Sequence, residues 1–133
     1  MLFAPVAPGL DAAIQRYFDV LYECNLDKFD RLFLPACHLF TVINGVEQGL
    51  SLATYRDVIA KRLSPKSLGQ PREESVIAVF PLSEHIAMVR VRVCIGAEVF
   101  QDHLNFVCAG RDWKLAAKLY ALEPPPRHEV LPR

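Results

Sequence analysis

Leu10, Ile14, Tyr17, Phe18 and Leu21 recur at intervals of three and four residues, which predicts an amphipathic helix over residues 10–24. Asn25 tolerates left-handed backbone and is expected to end it. Leu26, Phe29, Leu32 and Phe33 then predict a second short helix that Pro35 stops. His38 to Ile43 is dense in β-branched and aromatic residues and runs into Asn44-Gly45, a strong hairpin signal, so a strand and a short return strand follow. Ser51 is placed to cap a third helix with Leu52, Tyr55, Val58, Ile59 and Leu63 on its buried stripe, closed by a Pro- and Gly-containing loop over residues 64–72.

From Glu74 the period changes to two, predicting strands over 74–80, 86–95, 98–108 and 113–120. In the third of these, Phe100, Asp102, Leu104 and Phe106 share one face, with Gln101, His103 and Asn105 opposite. In the last, Trp113, Leu115 and Ala117 alternate against Lys118 and Tyr120. Strict alternation turns only one set inward, and a bulge after Gly110 would reconcile the two. Pro124, Pro125, Pro126 and Pro132 cannot donate to a ladder, so a single domain over residues 1–122 and an extended tail over 123–133 are expected. Helices first and mostly antiparallel strands afterwards is the order of an α+β domain with helices on one face of a curved sheet, and such a sheet leaves a hollow.

Length and charge narrow the partners. A chain of 133 residues buries a full core without a metal or disulfide staple. Fifteen Lys and Arg balance fifteen Asp and Glu, so the uncompensated basic patch that nucleic acid or an anionic membrane surface requires is not expected. No segment approaches the ~20 apolar residues of a membrane span. The N-terminal stretch lacks a basic region and is broken by Pro5 and Pro8, which makes it a poor secretory signal and cytoplasm the expected location. Cys24, Cys37, Cys94 and Cys108 lie apart in apolar runs, without the close pairing of a zinc site, and read as buried free thiols. No nucleotide loop or metal cluster is legible, and no cofactor or metal is expected.

The order helix, helix, Asn-Gly hairpin, helix and three long strands, ending in Asp102-His103-Leu104-Asn105-Phe106 and Gly110-Arg111-Asp112-Trp113-Lys114-Leu115, resembles the nuclear transport factor 2-like superfamily over roughly residues 10–120, in particular its SnoaL-like and lumazine-binding-like branches. The resemblance implies a cone-shaped, cystatin-like fold, with a curved mixed, mostly antiparallel sheet and the N-terminal helices on its concave face. It also implies a homodimer through the outer sheet face, where Met88, Arg90, Arg92, His103, Asn105 and Lys114 would lie.

Within that superfamily, Gln15-Arg16-Tyr17 and Asp102-His103-Leu104 look like motifs of ketosteroid isomerases, whose tyrosine and protonated aspartic acid donate hydrogen bonds to an enolate oxygen. An ungapped count puts Thr41 where those enzymes carry the proton-abstracting aspartate, and a threonine hydroxyl cannot serve as that base near neutral pH, which argues against steroid isomerisation. The resemblance therefore implies a pocket for a small apolar or aromatic ligand, lined by Thr41, Phe100, Leu104, Tyr55 and Tyr120. Tyr17 and Asp102 polarise a carbonyl in that picture, and His38 is the candidate for a substitute base. An unpaired carboxylate among Phe100, Leu104 and Phe106 would be costly, so Asp102 is expected to be paired or protonated. Two classes stay open: an isomerase or cyclase acting on an apolar carbonyl compound, and a non-catalytic ligand-carrying or protein-association domain. Arg62, at the end of the third helix, also suits the negative end of the helix dipole.

Overall fold

The computed structural model describes residues 7–124. Helix α1 (Leu10–Glu23) buries Leu10, Ala13, Ile14, Tyr17, Phe18, Val20 and Leu21, the stripe its spacing predicts. Its left-handed C-terminal residue is Cys24, not Asn25. Asn25 is extended instead and caps helix α2 (Leu26–Leu32), its side-chain oxygen accepting from the Lys28 amide at 3.0 Å.

The expected continuation of α2 to Pro35 does not occur. Strand β1 (Phe33–Ile43) begins at once and carries Pro35 within it. Pairing of β1 with the last strand slips between Phe33 and His38, and a proline is tolerated where the ladder asks nothing of its nitrogen. Asn44 and Gly45, both at positive φ, turn the chain into strand β2 (Val46–Ser51), with Ile43 facing Val46.

Ser51 caps helix α3 (Leu52–Lys61) by accepting from the Thr54 amide. The buried stripe of α3 is narrower than its sequence suggests, consisting of Tyr55 and Ile59. Arg62 is already extended, which carries Leu63 off the helix and leaves it 73% exposed.

Strands β3 (Glu74–Pro81), β4 (Ile86–Ile95), β5 (Glu98–Ala109) and β6 (Asp112–Leu122) complete one six-stranded sheet in the order β2-β1-β6-β5-β4-β3. Among the described residues only the β1–β6 pairing is parallel. The curved sheet carries the three helices, and the core joins α1, α2 and α3 to Val89, Val91, Leu104, Phe106, Trp113 and Leu115. The tail from Pro125 onward lies outside the described residues.

One irregularity decides which side chains face inward. Asn105 pairs with Ala117, but Phe106 pairs with Leu115, so Ala116 is an extra residue in β6. The bulge sits in mid-strand, six residues after Gly110. Upstream of it Trp113 and Leu115 are buried, and downstream of it Lys118 is buried as well.

Candidate functional site

Tyr17 lies at mid-helix in α1 and is fully buried against the sheet. Asp102 comes from β5, where it pairs with Val91 on one side and Tyr120 on the other, and is 2% exposed. The Tyr17 hydroxyl donates to Asp102 Oδ2 at 2.5 Å. Lys118 Nζ stands 3.9 Å from the same oxygen and donates to the Tyr55 hydroxyl at 3.2 Å. The ammonium also lies 5.2, 4.9 and 5.2 Å from the ring centroids of Tyr17, Tyr55 and Tyr120, a three-sided aromatic enclosure.

Asp102 is thus paired. A charge pair at 3.9 Å gains about 4 kcal/mol at an effective dielectric near 20, while each ion loses several kcal/mol of hydration on burial. The pair adds little net stability by itself, and removing one member leaves the other stranded. Burial, followed by the charge of Asp102, holds the Tyr17 phenol well above its ordinary value, so it stays a donor. Burial alone would lower the Lys118 ammonium, but Tyr55 and the charge of Asp102 outweigh it and hold Lys118 above the ordinary lysine value. Lys118 is therefore a cation at neutral pH.

These groups border a cavity of about 140 Å³ between the sheet and helices α1 and α3. Leu21, Leu50, Val58, Val93, Ile95 and Phe100 give it apolar walls, and Tyr55, Arg62, Asp102, Lys118 and Tyr120 supply polar atoms. An apolar protein cavity of about 150 Å³ holds one benzene, which sets the scale. A wider, open cleft of about 990 Å³ runs past Glu84, His85 and Trp113, but its charged residues are exposed and none of the buried charges reaches it.

Of the residues singled out in the sequence, Tyr55, Arg62, Phe100, Asp102 and Tyr120 line the cavity, and Tyr17 lies behind Asp102. Tyr17 spends its hydroxyl on Asp102, so the expected arrangement of two donors aimed together at a ligand oxygen is not what the side chains form. Leu104 is fully buried in the core and lines no part of the cavity. Thr41 donates its hydroxyl to the Tyr120 carbonyl at 2.6 Å and borders a separate depression with Phe40 and Val42. His38 is exposed, stacks on Phe40 and hydrogen-bonds the Ala36 carbonyl through Nδ1, which places it off the cavity.

The cysteines differ from one another. All four are free, but only Cys37 is buried, and burial pushes its thiol up to about 11. On the outer sheet face, Arg90 bonds Gln101 and Arg92 bonds Glu123, whereas Lys114 is drawn to the Arg31 carbonyl. No group of His, Cys, Asp and Glu with metal-binding geometry occurs among the described residues. No helix among them is long and apolar enough to cross a membrane.

Residues 7–121 match the family described as "Putative lumazine-binding". The chain belongs to this family. No curated protein matches significantly. Among solved structures, the lumazine-binding-like chain is similar to an NTF2-like protein of unknown function from Silicibacter pomeroyi, at 16% identity and a TM-score of 0.76, covering 86% of this chain and 93% of that one. A cystatin-like fold protein from Burkholderia xenovorans matches at 15% identity and 0.66, covering 91% and 94%. A ketosteroid isomerase-like protein from Erwinia carotovora matches at 12% and 0.66, covering 92% and 100%. At these identities the likeness establishes a shared nuclear transport factor 2-like fold.

Proposed function

We propose that this lumazine-binding-like protein binds a small apolar or aromatic compound in the cavity between α1, α3 and the sheet. The observation that carries the reading is the cavity of about 140 Å³, with apolar walls and a buried Lys118–Asp102 pair at its edge. Apolar lining with a few convergent polar groups is the pattern of ligand sites, and a core built only for stability has little use for a desolvated ion pair. The chain needs no cofactor in this reading. The four free cysteines suit a reducing cytoplasm.

Ligand carriage is favoured over steroid-type isomerisation, because Thr41 spends its hydroxyl on a backbone carbonyl and His38 lies off the cavity. One observation favours a catalytic version acting on a carbonyl compound: Asp102 reaches the cavity wall beside a lysine, an acid–base pair within reach of a ligand. A homodimer through the outer sheet face belongs to the same proposal, supported by the exposed Phe40, Val42 and Leu119 there.

Saturation-transfer NMR with a panel of single-ring compounds tests the binding role against a rim-filling Val58→Trp variant. Binding by the native chain that the variant loses is expected. Equal binding by both would place the ligand elsewhere and overturn the reading.

A further inference from the structure

Among the described residues, two cations border the cavity and one carboxylate does. Lys118 is matched by Asp102, but Arg62 has no such partner among the described residues: its Nη1 is buried and makes no hydrogen bond with them. The residue as a whole is half-buried, and it lines the cavity together with Leu21 of α1. A buried donor without an acceptor is costly and rare in folded proteins. The helix dipole gives Arg62 a reason to be basic, but not a reason to bury an unpaired nitrogen. Lys118 has capacity to spare too. An ammonium has three donors, and one is engaged, by Tyr55.

We propose that the cavity takes the carboxylate of a compact apolar acid, its oxygens held by Arg62 and Lys118 and its ring or short chain against Leu50, Val58, Ile95 and Phe100. This rests on the ligand-binding reading above and names its substrate class. A guanidinium presents a planar fork that matches a carboxylate, and the singly charged acid neutralises the one positive charge left over. A phosphate dianion would overcompensate it. The cavity of about 140 Å³ admits a body of roughly benzene size, which excludes bulky fused ring systems as the buried part. Asp102 does not oppose the incoming carboxylate strongly, because its charge is already shared between the Tyr17 hydroxyl and Lys118.

Calorimetric titration of the full chain with benzoate and with its neutral isostere benzamide tests this. Benzoate is expected to bind at least about tenfold more tightly, the margin a charge-assisted pair supplies. In Arg62→Gln benzoate should weaken about tenfold while benzamide stays within about twofold, and Arg62→Lys should recover part of the preference. Equal affinity of the native chain for the two compounds, or a benzoate preference that Arg62→Gln leaves intact, would overturn the carboxylate inference while leaving the pocket standing. Failure of both compounds to bind would overturn the pocket reading and this inference together. If Arg62→Gln does not fold, the benzoate-to-benzamide ratio of the native chain decides alone.

Discussion

Tyr17 and Asp102 are 85 residues apart in the chain, yet the hydroxyl of one lies 2.5 Å from the carboxylate of the other, both buried between helix and sheet. That contact fixes α1 over the strand that forms the cavity wall. It also has unequal consequences for its two members, because Asp102 serves Lys118 as well.

Tyr17→Phe removes one hydrogen bond to a charged acceptor and should cost about 1.5 to 3 kcal/mol. Asp102→Leu strands the buried Lys118 ammonium and should cost about 3 to 5 kcal/mol, whereas the double variant Asp102→Leu with Lys118→Met should regain most of that loss. Urea unfolding of the four proteins measures the order. A double variant no more stable than Asp102→Leu would mean that Lys118 does not depend on Asp102.

Stability should fall on the alkaline side. Tyr17 and Lys118 both hold their protons more tightly folded than unfolded. Below their ordinary values of 10.0 and 10.5 the contribution is fully present. Above them the unfolded chain binds fewer protons than the folded one, so stability declines until the folded groups titrate in turn. Thermal melts between pH 8 and about 12 should show this decline, and Tyr17→Phe should make it shallower.

Cys37 should resist alkylation. Its thiol is buried and pushed up to about 11, so thiolate at pH 8 is scarce. Iodoacetamide labelling followed by peptide mass mapping should modify the half-buried Cys94 and Cys108 well before Cys37. Labelling of Cys37 at the same rate would show that β1 opens readily.

The proposed dimer makes a separate demand. Leu119 lies beside Phe40 in the sheet, and both are about half exposed on its outer face. Leu119→Arg should move the sedimentation coefficient from dimer to monomer while leaving ligand binding intact. A native chain that sediments as a monomer would remove this part of the proposal.

The sequence made the fold legible because its periods are clean. The spacing of Leu10 to Leu21 and the alternation from Ile86 to Ile95 leave one solution each, and the bounds of the four later strands agree to within a residue or two, whereas β1 starts five residues before the predicted His38. Asp102 among apolar neighbours was legible for the same reason, since period two places it on the buried face. Lys118 was not: only a one-residue bulge at Ala116 turns it inward together with Leu115, and no residue type announces a bulge there. Arg62 was hidden by an adequate simpler explanation, the helix dipole, and Leu63 by a helical spacing that continues past the point where α3 ends. Leu104 shows the converse limit, because sharing a face with Asp102 does not put a side chain on the same cavity.

The most direct test is the side-chain ¹⁵N NMR resonance of Lys118, followed from neutral pH upward and then in the presence of benzoate. A charged ammonium is expected to persist beyond the ordinary lysine value of 10.5, and its resonance to move when the ligand enters. An ammonium that titrates at or below that value and does not respond to ligand would contradict a buried Lys118–Asp102 pair at the edge of a binding cavity.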